Sequence, residues 1–217
     1  MWLEHELLKN PGLPGVFCVT TSYRNEPNPI PGRHDKIFPM FEFETKGDIN
    51  DMRQLEKELV EFLGFETPIY KTYQELSQFY GTDDLEAEHE LKMQQDFGTT
   101  LSIEYFPEHT SPFWNMKHFE GDLYSKIDLI MYGMETIGSA ERETDIEKMR
   151  NQFFTISGGQ YAETLFKAFG ETRVLAELDE YLSLPMFARY GAGIGVTRLV
   201  RAMRLAGLIT EPKTVAA

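Results

Sequence analysis

The first stretch of chemical interest is a proline-containing loop that carries charged residues at both ends and is followed by an aromatic residue. The residues concerned are Arg24, Glu26, Arg33, His34 and Phe38. Guanidinium groups match phosphate oxygens, a carboxylate can accept a hydrogen bond from an exocyclic amine, and an aromatic ring can stack on a base. The stretch could therefore surround a nucleotide. Taken alone, it is explained equally well as an exposed hairpin with scattered charges.

The second stretch places Asp128, Glu135 and Arg142 at intervals of seven residues. If Tyr132 and Gly133 form a two-residue hairpin turn, residue 130 lies opposite 135 and residue 128 opposite 137, which makes the two carboxylates diagonal neighbours on one face. Such a pair could bind Mg²⁺, which takes a few carboxylates and completes its shell with water and phosphates. Arg142 could then bind a substrate carboxylate. A surface strand with a salt bridge explains this spacing equally well.

The third stretch, Gly191 to Arg198, has glycines at alternate positions. A dinucleotide-binding loop is excluded, because the glycines follow the pattern G-x-G-x-G and too little chain follows for the rest of a βαβ unit. Close backbone packing where a strand meets a helix explains them better. Arg198 would lie in the first turn of that helix, where the helix dipole disfavours a cation unless an anionic or aromatic group is near. Arg198 is therefore a candidate ligand-binding residue.

Strands and helices must bring these stretches together. Residues 16–23 and 38–44 are predicted to be paired strands, and residues 127–143 are predicted to be strand around Gly133. Apolar residues at helical spacing predict helices over residues 51–63, 85–97, 160–169 and 171–182, and a last helix after the glycines. The segment after Phe97 is predicted to be irregular through Pro112, and a short strand near residues 186–190 is predicted to end in a glycine turn. Because strands and helices do not alternate regularly, an α+β fold with a mainly antiparallel sheet is predicted.

Composition limits the class of protein. The chain has 217 residues, a net charge of −14, 41% hydrophobic residues and one cysteine. These values predict a single domain over residues 1–217 that needs no disulfide or structural metal. No apolar run approaches the roughly 20 residues of a membrane span, and the lone cysteine favours a reducing, cytoplasmic setting. The acidic charge argues against a large nucleic-acid-binding surface, and the acidic runs at residues 56–58 and 83–90 are interpreted as solvated helix faces.

Taken together and in this order, the motifs resemble the catalytic core of class II aminoacyl-tRNA synthetases, in particular the aspartyl and asparaginyl branch and the related ammonia-using asparagine synthetases. The second motif of that class, aromatic-Arg-x-Glu followed by a loop, Arg-His and a Phe, matches residues 23–38. Glu-His-Glu matches residues 88–90, Pro-Phe-aromatic matches 112–114, Asp-x6-Glu-x6-Arg matches 128–142, and the third motif, Gly-x-Gly-Ile-Gly-x-x-Arg, matches 191–198. The resemblance runs from about residue 2 to residue 207 and implies an antiparallel β-sheet flanked by helices.

The resemblance implies roles for the residues around the phosphates of ATP. Arg24 would contact the α-phosphate and the incoming carboxylate, which makes it a predicted catalytic residue. Arg33 and His34 would bind the outer phosphates. Asp128 and Glu135 would hold Mg²⁺. ATP and Mg²⁺ are therefore the predicted cofactors.

The resemblance also implies how adenine and the amino acid are bound. Glu26 would hold the adenine amine, and Phe38 and Arg198 would lie on the two faces of the base, a stacking and cation–π arrangement. Arg198 is the second predicted catalytic residue. Arg142 would pair with the side-chain carboxylate of bound aspartate, and Glu44 would meet the substrate's amino group.

The implied activity is ATP-dependent activation of aspartate or a close relative as an aminoacyl-adenylate. The activated group would pass to ammonia or another acceptor; tRNA is left open but is not favoured, because nothing in the sequence resembles an anticodon-binding domain. The first class motif, which makes much of the dimer interface in the family, would precede residue 1, so the core is predicted to be N-terminally shortened and a homodimer is left open. The alternative is a non-catalytic relative that keeps the nucleotide site for regulation or interaction.

Overall fold

The computed structural model describes residues 2–25, 27–110 and 112–210. Its strands are β1 (Gly15–Tyr23), β2 (Ile37–Lys46), β3 (Ile69–Thr72), β4 (Thr100–Pro107), β5 (Leu123–Met131), β6 (Met134–Glu141) and β7 (Arg189–Gly195). They form one seven-stranded sheet in the order β1-β2-β7-β6-β5-β4-β3. Neighbouring strands are antiparallel apart from the parallel pair of β3 and β4. The predicted α+β fold with a mainly antiparallel sheet is confirmed.

Helices cover parts of this sheet. They are α1 (Trp2–Lys9), α2 (Ile49–Phe62), α3 (Tyr73–Tyr80), α4 (Ala87–Asp96), α5 (Ile146–Thr155), α6 (Gln160–Phe169), α7 (Glu171–Leu182) and α8 (Val196–Leu205). The Asp48 carboxylate begins α2 by accepting hydrogen bonds from the backbone N of Asn50 and Asp51, which satisfies donors that have no partner inside the helix. Among the described residues, no helix combines the length and apolarity that a bilayer span requires.

The two faces of the sheet have different surroundings. Phe41 and Phe43 of β2 pack in an apolar cluster to which α2 and α8 contribute. Successive side chains of a strand point to opposite faces. The other face of β2 therefore carries the alternate residues, which line two cavities: Phe38, Met40, Glu42 and Glu44. The helix-covered face holds the core, and the opposite face is left open to form a site.

Two segments differ from their sequence-based predictions. The segment predicted to be irregular contains β4, which is buried along nearly its whole length. Its first residues alternate polar and apolar side chains from Thr100 to Glu104, so the period of a strand was present in the sequence. The glycines predicted to form a turn lie inside β7. A Cβ at Gly191 would lie 2.1 Å from Glu44 Oε1, and one at Gly193 would lie 2.8 Å from Met40 Cε. The glycines thus make room for the side chains of β2. Four shorter elements, α1, β3, α3 and α5, were not predicted.

The β5–β6 hairpin turns at Tyr132 and Gly133, both with positive φ. The predicted pairing of residue 130 with residue 135 is present. A register shift in the ladder pairs Asp128 with Gly138. The predicted pairing of residue 128 with residue 137 is therefore wrong by one residue, because a β-bulge inserts an extra residue into one strand.

Candidate active site

Two cavities adjoin on the open face of the sheet. The first, of about 410 Å³, lies between the loop after β1, the strands β2, β6 and β7, and the start of α8. Its cations are all arginines, and we call it the arginine cavity after them: Arg24, Arg33, Arg198, Arg201 and Arg204. Phe38 and Met40 supply apolar surface, and Asp35 and Glu135 supply the carboxylates. Cations outnumber acids, which suits a polyanionic ligand.

Hydrogen bonds to the β5–β6 turn and the start of β6 hold three of these arginines, Arg33, Arg198 and Arg201. Arg33 Nη2 lies 2.5 Å from Glu90 Oε2, and Arg33 Nη1 donates to the carbonyl O of Gly133 at 3.2 Å. Arg198 Nη1 donates to the carbonyl O of Glu135 at 2.7 Å and lies 3.5 Å from that residue's carboxylate. Glu90 Oε2 also accepts from the backbone N of Glu135 at 2.7 Å. The start of β6 therefore orients one arginine from the loop and one from α8.

Phe38 lies beside the arginines. The guanidinium carbon of Arg24 is 5.3 Å from the centre of the Phe38 ring, within the range of a cation–π contact. Phe38 and Arg198, the two groups predicted to bind the faces of adenine, line the same cavity. This common location is compatible with their predicted role.

Two other residues predicted to bind ATP are placed differently. His34 Nδ1 accepts from the backbone N of Ile30 at 3.3 Å, inside the loop. His34 is not among the residues that line the arginine cavity, so its contact with the outer phosphates stays a prediction. Glu26 lies outside the described residues, and its contact with adenine likewise stays a prediction.

The second cavity has a volume of about 500 Å³. We call it the carboxylate cavity because of four acidic residues in its lining: Glu42, Glu44, Asp128 and Glu135. Its cations are Lys126 and Arg142. The two cavities share Glu135, Gly138 and Gly193. A ligand that occupies both would therefore pass over two glycines.

Arg142 is bound to Glu44 in the carboxylate cavity. Arg142 Nε donates to Glu44 Oε1 at 3.0 Å, and Arg142 Nη2 donates to the same oxygen. The guanidinium carbon lies 4.6 Å from the centre of the Phe113 ring. Burial raises the pKa of Glu44, while Arg142 opposes that shift. Within the described part of the chain, Arg142 Nη1 and Glu44 Oε2 are buried without hydrogen-bond partners. The pair thus keeps one unused donor and one unused acceptor.

Asp128 and Glu135, the predicted metal ligands, lie on either side of Gly138. A Cβ at Gly138 would be 3.0 Å from Glu135 Oε1 and 3.4 Å from Asp128 Oδ1. Asp128 Oδ1 is buried and has no hydrogen-bond partner among the described residues, whereas Asp128 Oδ2 accepts from Lys126 Nζ at 2.6 Å. Burial raises the pKa of Asp128, and Lys126 opposes that shift. Each of the two carboxylates therefore has an oxygen within 3.4 Å of the same point above Gly138.

These carboxylates fit Mg²⁺ as a partial ligand set. No group of three or more His, Cys, Asp or Glu side chains placed to bind a metal occurs in the described ranges. Mg²⁺ is commonly held by one or two carboxylates, with water and substrate phosphates as its other ligands. A Mg²⁺ ion at Asp128 and Glu135 would therefore need oxygens from outside the chain.

The comparison with protein families decides the class of this chain. The family model described as tRNA synthetases class II (D, K and N) matches residues 3–211. The chain belongs to this family. A search of curated proteins finds no match.

Solved structures share the fold of this class II core. Asparaginyl-tRNA synthetase from Pyrococcus horikoshii, complexed with asparaginyl-adenylate, has a TM-score of 0.72 and 23% identity, covering 93% of this chain and 51% of that one. The enzyme from Entamoeba histolytica, also with asparaginyl-adenylate, has a TM-score of 0.73 and 20% identity, covering 95% and 52%. Aspartyl-tRNA synthetase from Entamoeba histolytica has a TM-score of 0.72 and 17% identity, covering 93% and 47%. The chain spans about half the length of these structures.

Sequence reasoning missed the environment of Glu90 in this core. The interpretation of the acidic runs as solvated helix faces is wrong for Glu90 and also for Glu56, which is buried in α2. The Glu90 side chain is only 15% exposed and pairs with Arg33. The Glu-His-Glu pattern was a signal for Glu90, but its partner lies in a loop distant in the sequence.

Two cations in the class II core were also missed, although their spacing carried a signal. Arg201 Nη1 donates to the carbonyl O of Tyr132 at 3.2 Å. Arg201 follows Arg198 by three residues, a spacing that places both on one side of a helix. Lys126 precedes Asp128 by two residues, and residues two apart in a strand share a face.

A buried ion pair supports the strand next to Arg142. Arg189 Nη2 lies 2.6 Å from Glu4 Oε1 and donates to Tyr181 Oη at 2.8 Å. Asn115 Nδ2 donates to Glu4 Oε2 at 2.8 Å. The carbonyl O of Arg189 accepts from the backbone N of Arg142 at 2.9 Å. This network joins α1, α7 and β7, and removal of one partner would leave an uncompensated buried charge.

Proposed function

We propose that this class II core forms an aminoacyl-adenylate from ATP and an amino acid. One observation supports this proposal above all: two cavities with opposite net charge adjoin at Gly138 and Gly193. The arginine cavity suits a nucleotide triphosphate, with Phe38 available to stack on the base. The carboxylate cavity suits an amino acid, whose ammonium group favours acidic surroundings. An adenylate contains both parts joined by one phosphate and would span the junction.

The Glu44–Arg142 pair supports asparagine more than aspartate as the amino acid. The pair leaves one donor, Arg142 Nη1, and one acceptor, Glu44 Oε2, without partners in the described part of the chain. A carboxamide carries one acceptor and one donor and can satisfy both. A carboxylate would satisfy Arg142 but would meet the Glu44 carboxylate with like charge. Arg142 alone favours the side-chain carboxylate of aspartate. Arg142 together with the adjacent Glu44 favours the carboxamide of asparagine.

The chemistry would be a displacement at the α-phosphorus of ATP. An oxygen of the amino-acid carboxylate forms a bond to that phosphorus, the bond to the oxygen that bridges to the β-phosphate breaks, and pyrophosphate leaves. Arg24 and Arg198 would stabilise the charge on the transferring group, and Arg33 and Arg201 would bind the outer phosphates. Mg²⁺, when bound by Asp128 and Glu135, would neutralise phosphate charge.

ATP–pyrophosphate exchange measured with each of the twenty amino acids tests this proposal. We expect exchange with asparagine, and weaker exchange with aspartate. Exchange with no amino acid would overturn the proposal in favour of a non-catalytic nucleotide-binding relative. Arg173→Ala, in an exposed pair with Glu177 on α7, is the matched control for every arginine variant and should leave exchange unchanged.

The acceptor of the activated group is tested separately. Ammonia is one candidate, and it requires aspartate to bind with its side-chain carboxylate, and not its α-carboxylate, at the α-phosphorus of ATP. Ammonia would then displace AMP from that carboxyl carbon, and incubation with aspartate, ATP and ammonium should yield asparagine. Transfer to tRNA is the other, and it should yield tRNA that carries a radiolabelled amino acid. We expect one of these two products to accumulate with release of AMP, and absence of both would limit the proposal to adenylate formation.

A further inference from the structure

Lys126 is a partly buried cation of the carboxylate cavity to which adenylate formation assigns no role. Its Nζ lies 2.6 Å from Asp128 Oδ2 and 3.9 Å from the centre of the Phe106 ring. The Lys126 side chain is 25% exposed and that of Asp128 is 11% exposed. An ammonium group is stabilised both by an ion pair with a carboxylate and by a cation–π contact with an aromatic ring. Lys126 is therefore held in position by its surroundings.

The position of Lys126 affects any divalent ion that binds Asp128. The ammonium group neutralises the same carboxyl group that the ion would use, and like charges close together repel each other. Glu135 has a cation near it as well, because Arg198 Nη1 lies 3.5 Å from its Oε2. Both carboxylates of the proposed magnesium site are therefore balanced by cations from the chain.

We propose that Lys126 is the resident counter-cation of Asp128 and keeps the affinity of the Asp128–Glu135 pair for a divalent ion low until phosphates bind. The inference rests on the magnesium site of the proposed function, but not on adenylate formation itself. Phosphate oxygens would supply the negative charge and the ligands that the neutralised pair lacks. The ion would then bind firmly only together with its nucleotide.

Binding of Mn²⁺ to the full chain without nucleotide tests the inference, because paramagnetic resonance counts free Mn²⁺ directly. In Lys126→Met the Asp128 carboxylate loses its cation, and Asp128 holds its proton to higher pH because Lys126 no longer lowers its pKa. At a pH high enough to ionise Asp128 in every variant, we expect Mn²⁺ to bind about tenfold more tightly or better. Lys126→Arg keeps the charge and should bind as weakly as the wild type. Lys117→Met is the matched control, since Lys117 forms a similar pair with Glu141 at 2.6 Å outside both cavities.

Two further variants keep the test decisive. Lys126→Met/Asp128→Asn removes both charges and should lose the gain in Mn²⁺ affinity. If Lys126→Met does not fold, Lys126→Gln replaces it, because the amide can still donate to Asp128 without a charge. Equal affinity in the wild type and the neutral variant, or a gain that persists with Asp128→Asn, would overturn the inference. Measurement of Mn²⁺ binding does not require ATP–pyrophosphate exchange activity. A chain without exchange activity whose variants show the expected differences in Mn²⁺ affinity would therefore refute the proposed function and leave this inference standing.

Discussion

The two cavities differ in the balance of their charged side chains and in how those side chains are paired. The lining of the arginine cavity has five arginines and two carboxylates, whereas that of the carboxylate cavity has two cations and four carboxylates. In the carboxylate cavity each cation has a carboxylate partner, Glu44 for Arg142 and Asp128 for Lys126. Both cavities use β2, β6 and β7, and the carboxylate cavity also uses β5, which supplies Lys126 and Asp128. The contrast in charge therefore arises from the side chains that neighbouring strands of one sheet present.

The difference indicates what each cavity can select. A surplus of guanidinium groups attracts any polyphosphate and gives affinity without fine discrimination. A cation and a carboxylate that already bind each other leave little net charge, so recognition depends on the pattern of unused donors and acceptors. Discrimination by such a pattern can be strong, because the wrong ligand leaves a buried polar atom unpaired. We therefore expect substitutions in the arginine cavity to reduce rate and those in the carboxylate cavity to change selectivity.

The largest effect is expected from Arg198→Ala in the arginine cavity. Loss of one guanidinium group from the transferring phosphate should reduce the ATP–pyrophosphate exchange rate about 10²–10³-fold. The apparent preference among amino acids should not change, because the carboxylate cavity is intact. A preserved rate would contradict the assignment of this cavity to the nucleotide.

The next effect is expected from Glu44→Gln in the carboxylate cavity. The new amide can accept from Arg142 and donate to the substrate, so both groups then donate and a carboxylate fits better than a carboxamide. We expect kcat/KM for aspartate relative to asparagine to rise about 10–100-fold. Glu58→Gln, an exposed residue of α2, is the control. An unaltered ratio would mean that Glu44 does not face the substrate side chain.

A smaller effect is expected from Gly191→Ala, which displaces Glu44 without removing it. The new Cβ would lie 2.1 Å from Glu44 Oε1 and 2.6 Å from the carbonyl O of Phe43. The strand must shift, at a cost of about 1–3 kcal/mol in the free energy of unfolding. KM for the amino acid should rise several-fold more than KM for ATP. Gly12→Ala, where a Cβ meets nothing within 4 Å, should change neither quantity.

The smallest effect concerns Glu56, which lies on the helix-covered face of the sheet. Burial raises its pKa from 4.5 to about 8, and the charge of Asp128 adds to the shift. Because the folded pKa exceeds the unfolded one, the folded state holds a proton that the unfolded state releases. Stability should therefore fall as pH rises above about 4.5, by about 1 kcal/mol between pH 7 and pH 8.

Urea denaturation from pH 5 to pH 9 checks this expectation. Glu56→Gln should make the decline shallower and leave exchange activity unchanged at pH 7; the raised pKa of Asp128 contributes to the decline that remains. In an Asp128→Asn background the contribution of Glu56 to the decline should end at a lower pH, because one of the charges that raise the pKa of Glu56 is gone. A wild-type curve with the same slope as that of Glu56→Gln would show that Glu56 does not keep its proton in the folded state.

Much of the site was predictable because its signals are local. The two-residue period placed Phe38, Met40, Glu42 and Glu44 on one face of a strand, and a two-residue turn brought Asp128 and Glu135 together. The bulge that shifts Asp128 by one residue left no signal that we recognised. β4 differs from the bulge because its residues 100–104 do alternate polar and apolar side chains, and both sets are buried in the folded chain. The sequence therefore carried a strand signal, but the burial of its polar face depends on tertiary packing.

The sequence by itself determined the family, the mainly antiparallel sheet and the set of residues available for catalysis, because motif order and strand period are properties of neighbouring residues. Only the tertiary structure decided which charged side chains pair with each other. β7 comes last of the strands in the chain but lies between β2 and β6, and its glycines let Glu44 reach Arg142 across 98 residues of sequence. The pairing of charged side chains depends on the order of the strands in the sheet and on the space between them, and neither is encoded within any one segment of the sequence.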